Sequence, residues 1–391
     1  MSALRALARP LRALARPVLS FARLDAAGGL VLFAAAAAAL LWANSPARGL
    51  YHRLFDGAVT LGAFRVPTAT LIDDGLMSLF FFVVGAEIKR ELAVGELSSF
   101  RKALLPAVGA LGGMVAPAAI FAALNRGGPG LRGWAIPMAT DIAFSVGVLA
   151  LLKGRVARGL VVFLTALAIF DDLGGILVIA IFYGHGLHAW WLLAAAGLLG
   201  IAVAAGRRGA IGFAPYLILG VPLWIAVHQS GVHATMAGVA LGLAVPARAR
   251  FVHALQPWVT FLILPLFALG SSGVDLSGVR AADLLQPICL GAGLGLFAGK
   301  QVGIFAFTMA SVKLGLAAMP GGARPAQLYG VAIVGGIGFT VALFIAGLAF
   351  PDAALLAQAR LGILLGSLAA GVIGYGWLRV WGGGPRLKAS D

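Results

Sequence analysis

The chain has 391 residues, of which 61% are hydrophobic and 11% charged, with a mean hydropathy of +0.99. A soluble globular chain carries about 25% charged residues, so a water-soluble enzyme, a nucleic-acid binder and a disordered chain are all excluded as first readings. The net charge of +15 is spread between apolar runs and reads as a topology signal instead of a nucleic-acid footprint.

The chain opens on a basic repeat, RALARP at 5–10 and again at 12–17. Two readings fit the segment 1–26: a helix lying on anionic lipid, or a charged leader that only sets orientation. About twelve apolar spans follow, near 27–44, 73–92, 103–124, 134–152, 159–183, 189–206, 209–228, 232–247, 254–271, 285–308, 328–350 and 358–378. Each is long enough to cross a bilayer as a helix, and backbone groups in lipid must bond within their own segment, which forces helices. Long apolar runs without alternation disfavour an outer-membrane barrel. The reading is an all-α polytopic membrane protein, with one transporter domain over 27–378 and a short tail at 379–391.

With the N-terminus placed in the cytoplasm, 21 of the 29 lysines and arginines fall on the inside, 7 fall outside, and Lys300 lies within a span. That asymmetry puts both termini in the cytoplasm. The longest outside segment, 45–72, has alternating stretches at Ala58-Val59-Thr60-Leu61 and Ala63-Phe64-Arg65-Val66, which permit a small hairpin. The one cysteine, Cys289, allows no intrachain disulfide and no cysteine-based metal site.

Charges inside the spans carry the most information. Asp141 lies in the fourth span, Asp171 and Asp172 in the fifth, and Lys300 in the tenth. Asp73 and Asp74 stand at one end of the second, with Glu87, Lys89, Arg90 and Glu91 at the other. An ionised group at the bilayer centre costs at least about 2.5–3.5 kcal/mol. A structural ion pair with Lys300 explains at most one of the three mid-span carboxylates. A water-accessible site for a hard cation or protons explains all three, since carboxylate oxygens suit both and neighbouring carboxyls titrate as a unit.

Helix breaks supply a second signal. Pro137 precedes Asp141 by four residues, and Gly335, Gly336 and Gly338 interrupt the eleventh span just before Thr340. Interrupted helices at mid-membrane expose backbone dipole ends, tolerated only beside protein or water. Asp141 suits two facing positive helix ends, and Lys300 the opposing negative ends. For the glycines alone, close packing is an equally good account, and Gly291, Gly295 and Gly299 at four-residue spacing are best explained by it.

On these residues the chain resembles the NhaA family of bacterial sodium/proton antiporters. The likeness rests on LFFFVVGAEIKREL (79–92), GWAIPMATDIAFSVGVLALL (133–152), ALAIFDDLGGILVIAIFY (166–183), SGVHAT (230–235), PWVTFLILPLFA (257–268), GKQVGI (299–304) and GGIGFTVALFIA (335–346). It implies inverted repeats with discontinuous fourth and eleventh helices. It also implies electrogenic exchange of sodium or lithium for protons by alternating access, in a homodimer of the bacterial inner membrane surrounded by lipid. No cofactor and no nucleic acid enter.

The resemblance makes Asp172 the main ligand of the transported cation and Asp171 a proton-exchanging partner of Lys300. Asp141 and Thr140 complete the cation and proton site. Glu87, Lys89, Arg90 and Glu91 match a cytoplasmic funnel mouth tied to pH response; His233 matches a histidine also linked to pH response, and His253 is counted with the pH-response residues. Two positions depart from the family: Val252 stands where an acid is common before His253, and Gln256 where a second histidine can occur.

Two other functions compete. An intramembrane aspartyl protease needs its acids on separate helices facing one peptide bond, whereas adjacent acids on a helix point about 100° apart. A cation channel needs repeated rings or a filter loop, and none is visible.

Overall fold

The computed structural model describes residues 26–61, 64–152, 154–184, 186–209 and 212–383. The basic repeat and most of the expected C-terminal tail therefore lie outside the described residues.

The elements run in order as α1 (Ala27–Ala43), α2 (Arg48–Phe55), strands β1 (Ala58–Leu61) and β2 (Phe64–Pro67), then α3 (Thr68–Val94) and α4 (Phe100–Leu124). Two 3₁₀ turns, Pro129–Gly133 and Ile136–Met138, lead into α5 (Ile142–Leu151). Then come α6 (Arg158–Phe182), α7 (Ala189–Arg207), α8 (Phe213–Gln229), α9 (Thr235–Ala244), α10 (Phe251–Ser271) and α11 (Pro287–Lys313). The chain finishes with α12 (Pro325–Val334), α13 (Phe339–Ala349) and α14 (Ala353–Trp381).

Among the described residues, 7 helices are long and apolar enough to cross a membrane, and up to 10 spans result if each bent pair counts once. Phe213–Gln229 and Thr235–Ala244 are shorter apolar helices that stand at two of the twelve expected spans. The eighth expected span, 232–247, shrinks to α9: the chain turns at Gly231, whose φ is 84°, the helix starts only at Thr235, and it stops before the extended Val245. The second expected span gains a turn, because α3 begins at Thr68 and passes through a π-helical stretch at Leu71–Leu76 that carries Asp73 and Asp74.

Both expected breaks are present. The turns at Pro129–Met138 meet α5 at 44°, and α12 meets α13 at 46°. Pro137 sits within the 3₁₀ turn Ile136–Met138, after which Ala139 and Asp141 are extended. The 45–72 segment is richer than expected. It holds α2, bent 118° from α1, and a hairpin pairing Ala58 with Pro67 and Thr60 with Arg65.

The helices pack as two groups. In one, α3 lies against α9, which touches α7 and α8. In the other, α4 packs on α11 and α6, while α14 covers α11, α12 and α13. The large apolar core runs through both groups.

Helix contact in lipid depends on close backbone approach, and the α3–α9 seam shows it. A Cβ at Gly238 would lie 2.1 Å from the Ser78 carbonyl oxygen, and one at Gly242 would lie 2.2 Å from that of Phe82. Overpacking a tight site costs about 1–3 kcal/mol or more. Gly238→Val should therefore lower the thermal midpoint of the purified protein in detergent. Gly200→Ala, with nothing within 4 Å of the added atom, should leave it unchanged or slightly raised.

Candidate functional site

The two breaks cross each other. The Asp141 amide donates to the Ile337 carbonyl at 2.6 Å, so the extended strand of one break is bonded to the other. A Cβ at Gly338 would lie 2.9 Å from the Ala139 carbonyl oxygen and 2.5 Å from Leu296 Cδ2, and one at Gly336 would lie 2.4 Å from the Leu296 carbonyl oxygen. Glycine is required there because the chains approach this closely; neither glycine needs a left-handed backbone. Pro137 has a packing role, since a Cβ at Gly295 would lie 2.7 Å from its own Cβ.

Asp141 caps two helices at once. Its Oδ1 accepts from the Phe144 amide at 3.0 Å at the start of α5. Its Oδ2 accepts from the Thr340 amide at 3.2 Å and the Thr340 hydroxyl at 2.5 Å at the start of α13. The carboxylate thus meets two helix N-termini, each carrying a partial positive charge of about half a unit. At the other ends, hydroxyls take the exposed carbonyls. Thr140 Oγ1 donates to Gly335 O at 2.9 Å, and Ser145 Oγ donates to Val334 O at 3.3 Å. Of the two placements expected for Lys300, at those carbonyls or on Asp171, the structure gives the second: its Nζ donates to Asp171 Oδ2.

Asp171 and Asp172 follow one another on α6 and are both buried, as are Asp141, Thr140 and Lys300. Asp171 Oδ2 also accepts from Thr140 Oγ1 at 2.6 Å. Thr140 therefore joins the first break, the second break and the ion pair. Lys300 follows directly on a π-helical turn, Gly295–Gly299, a widened geometry common at functional sites. Among the described residues, Asp171 Oδ1 and Asp172 Oδ1 are buried with no hydrogen-bond partner. Buried polar atoms in native proteins are nearly always satisfied, so two such oxygens on adjacent acids are available to a further partner. Among the described residues no three His, Cys, Asp or Glu converge as for a tightly held metal.

A cavity of about 400 Å³ reaches this cluster. Its inner end is lined by Asp141, Asp172 and Thr340, its outer end by Glu87, His253 and Gln256. At that outer end Gln256 Nε2 donates to Glu87 Oε1. Arg90 Nη1 lies 3.1 Å from His253 Nε2, and its Nη2 lies 3.6 Å from Glu91 Oε1. Lys89 is exposed. His233 is not brought to this group. It lies toward the opposite end of α3, with Nε2 3.6 Å from Asp74 Oδ1 and its ring edge against Phe344 of α13.

Three contributors were not visible as such in the sequence. Gln256 is the partner of Glu87, although its position read only as a missing histidine. Ser145 has no signal beyond its spacing of four from Asp141. Ser367 Oγ accepts from the Phe339 amide at 3.2 Å and so closes the start of α13 from α14.

Crossed broken helices around buried carboxylates, reached by a cavity with acids at both ends through an apolar helical body, fit an ion-coupled secondary transporter and not an enzyme. The chain belongs to the family described as Na+/H+ antiporter 1, whose sequence profile matches residues 19–378. It is 50% identical to the Na(+)/H(+) antiporter NhaA 1 of Myxococcus xanthus (strain DK1622), over 92% of this chain and 92% of that protein. It is 51% identical to the Na(+)/H(+) antiporter NhaA of Anaeromyxobacter sp. (strain Fw109-5), over 98% and 93%. Among solved structures it resembles the sodium proton antiporter MjNhaP1 of Methanocaldococcus jannaschii at pH 8, with a TM-score of 0.52 and 14% identity over 91% of each chain. That last likeness is one of fold alone. Family membership sets aside the protease and channel readings, and it makes the chain a multi-pass membrane protein.

Removing one partner of a buried ion pair leaves an uncompensated charge and typically costs about 3–5 kcal/mol. Lys300→Met should therefore lower the thermal midpoint sharply. The double variant Lys300→Met with Asp171→Asn should recover much of the loss. Equal midpoints for the single and double variants would show that the pair is not coupled.

Proposed function

We propose that the chain exports sodium or lithium in exchange for protons at the Asp141, Asp171 and Asp172 cluster. The observation that carries this reading is the single cavity whose walls include Glu87 at one end and both Asp141 and Asp172 at the other. An ion following it meets carboxylate and hydroxyl oxygens without entering hydrocarbon, and such oxygens suit hard cations.

Asp172, with an unpartnered carboxylate oxygen facing this region, is the principal cation ligand. Asp141 and the Thr140 hydroxyl complete its surroundings. Asp171 trades a proton as its contact with Lys300 is made and released. The acids bind either protons or a metal cation, because both compete for the same oxygens and the groups titrate together. More than one proton enters per cation leaving, so each cycle moves net charge.

Access alternates as the crossed breaks shift against the α3, α7, α8 and α9 group. With the lysine and arginine excess placed inside, the cavity seen here opens to the cytoplasm of a bacterial inner membrane, and both termini lie there too. Glu87, Lys89, Arg90, Glu91 and His253 modulate entry with pH at that mouth. His233 acts from the other end of α3, and bilayer lipid surrounds the whole.

The test is transport in everted membrane vesicles holding a proton gradient. Sodium or lithium should collapse the gradient, and a potential-sensitive dye should report charge movement in the same cycle. Asp172→Asn should reduce the response to background, while Glu87→Gln should keep the maximal rate and move the pH profile. Retention of full transport by Asp141→Asn, Asp171→Asn and Asp172→Asn separately would overturn the site assignment.

A two-stranded hairpin is marginal alone and leaves two open edges, so we place the homodimer contact at β1–β2. Thr60 is exposed there, and the one native cysteine, Cys289, is buried. In Thr60→Cys, a short bifunctional thiol reagent should join two chains in the membrane. Chains that stay single under saturating reagent would remove the hairpin from the interface.

A further inference from the structure

The second broken helix has an unbroken neighbour. α14 runs without interruption from Ala353 to Trp381 and passes in the opposite direction along α12, the break and the start of α13. At one end Gln327 Nε2 donates to the Gly382 carbonyl at 2.7 Å, and Trp377 Nε1 donates to the Ala326 carbonyl at 2.8 Å. Further along, a Cβ at Gly330 would lie 2.5 Å from Leu378 Cδ2, one at Gly374 3.1 Å from the Val334 amide nitrogen, and one at Gly371 3.6 Å from Ile337 Cδ1. Past the break, the Phe339 amide donates to Ser367 Oγ at 3.2 Å.

These contacts keep step. Seven positions forward from Gly330 to Ile337 match seven positions back from Leu378 to Gly371. The break therefore advances along α14 at the pace of a helix, although its helical bonds are lost. Four extended residues would cover about 13 Å, against about 6 Å for four helical ones. The local bonding explains the short pace: the Gly336 and Ile337 amides bond back three residues, to the Ile333 and Val334 carbonyls at 2.9 and 3.1 Å. The first break differs, being extended at Ala139 and Asp141.

We propose that α14 splints the second break, and that Gln327 and Ser367 are positioning residues that set the spacing of the oxygens at the transport site. They pin the two halves of the broken helix, one on each side of the gap. Gln327 is buried, and its Oε1 accepts from the Arg324 amide at 2.9 Å, so one side chain both starts α12 and ties it to α14. Between the pins, the Gly335 carbonyl takes the Thr140 hydroxyl, and Thr340 donates to Asp141. Thr140 and Asp141 thus stand where the splint puts the break. Discrimination between cations of different size depends on the dimensions and the flexibility of the oxygen cage. A splinted cage separates sodium from lithium better than a loose one. This inference rests on the exchange of cations for protons at the Asp141, Asp171 and Asp172 cluster.

The experiment measures half-saturating sodium and lithium concentrations for the full chain in everted vesicles holding a proton gradient, with the thermal midpoint of the purified protein alongside. Gln327→Met and Ser367→Ala each remove one pin. Each should bring the ratio of the two concentrations closer to one, by about two- to fivefold for the loss of one hydrogen bond. Variants that lower the midpoint but keep the wild-type ratio would show that these bonds only hold the fold together, and would overturn the proposal.

A second arm needs no weakened protein. Arg324 and Gly383 are both exposed, and a Cβ at Gly383 meets nothing within 4 Å. In Arg324→Cys with Gly383→Cys, a short bifunctional thiol reagent joins the start of α12 to the end of α14. Joining should leave transport unchanged, and in the added presence of Gln327→Met it should return the ratio to the wild-type value. Loss of transport on joining would show that α12 slides along α14 during the cycle, and would overturn the splint. A wild type that responds to neither cation would instead overturn the exchange reading, and this inference with it.

Discussion

Hydrocarbon offers no hydrogen bonds, and the two interrupted helices of this chain bury their loose backbone ends inside the helical body, where only protein can satisfy them. Those ends are satisfied by each other's side chains. Asp141 takes the amides that start α5 and α13, while Thr140 and Ser145 take the carbonyls that finish α12. The break in one helix is thus stable only because the other break lies across it. The glycines of the second break and the tight packing of Pro137 on Gly295 serve that crossing.

The acid cluster grows out of the same arrangement. Thr140 spends one hydroxyl on two acceptors, Gly335 O and Asp171 Oδ2, at 2.9 and 2.6 Å. Through it the crossing is joined to the Asp171–Lys300 pair. Asp172, next in sequence, points about 100° away around the helix, which takes it out of that pair and onto the cavity wall. Adjacent acids on one helix are therefore placed differently by geometry alone: Asp171 is bonded to Lys300 and Thr140, and Asp172 lines the cavity.

Much of the architecture was readable from residue order. Apolar length located the spans, and charge inside those spans picked out Asp141, Asp171, Asp172 and Lys300, because hydrocarbon tolerates such groups only for a reason. Pro137 and the Gly335–Gly338 stretch marked both breaks. Partners across the bundle were less visible, since a helix buried on every side shows no periodicity to say which neighbour each face meets. Lys300 was expected both opposite the carbonyl ends and on Asp171, and only the second contact is made. Gln256 looked like a lost histidine and is the group that bonds Glu87. Ser367 caps α13 from α14, whose two charged residues, Arg360 and Arg379, stand seven and twelve positions away from it. His233 and Glu87 were grouped by chemistry, yet they sit toward opposite ends of α3. The short α9 and the helix Arg48–Phe55 also escaped, because hydropathy measures greasiness and not where a chain turns.

One consequence follows from the length of α3. It is a single uninterrupted rod from Thr68 to Val94, about 40 Å from tip to tip at the usual rise. Asp74 and its histidine lie toward one tip, and Glu87 with its glutamine toward the other. A rod pivoting about its middle swings its tips in opposite senses, so about 5° of tilt moves each tip by nearly 2 Å. A lever of this length would couple the two faces of the membrane mechanically, slack gained at one tip being taken up at the other.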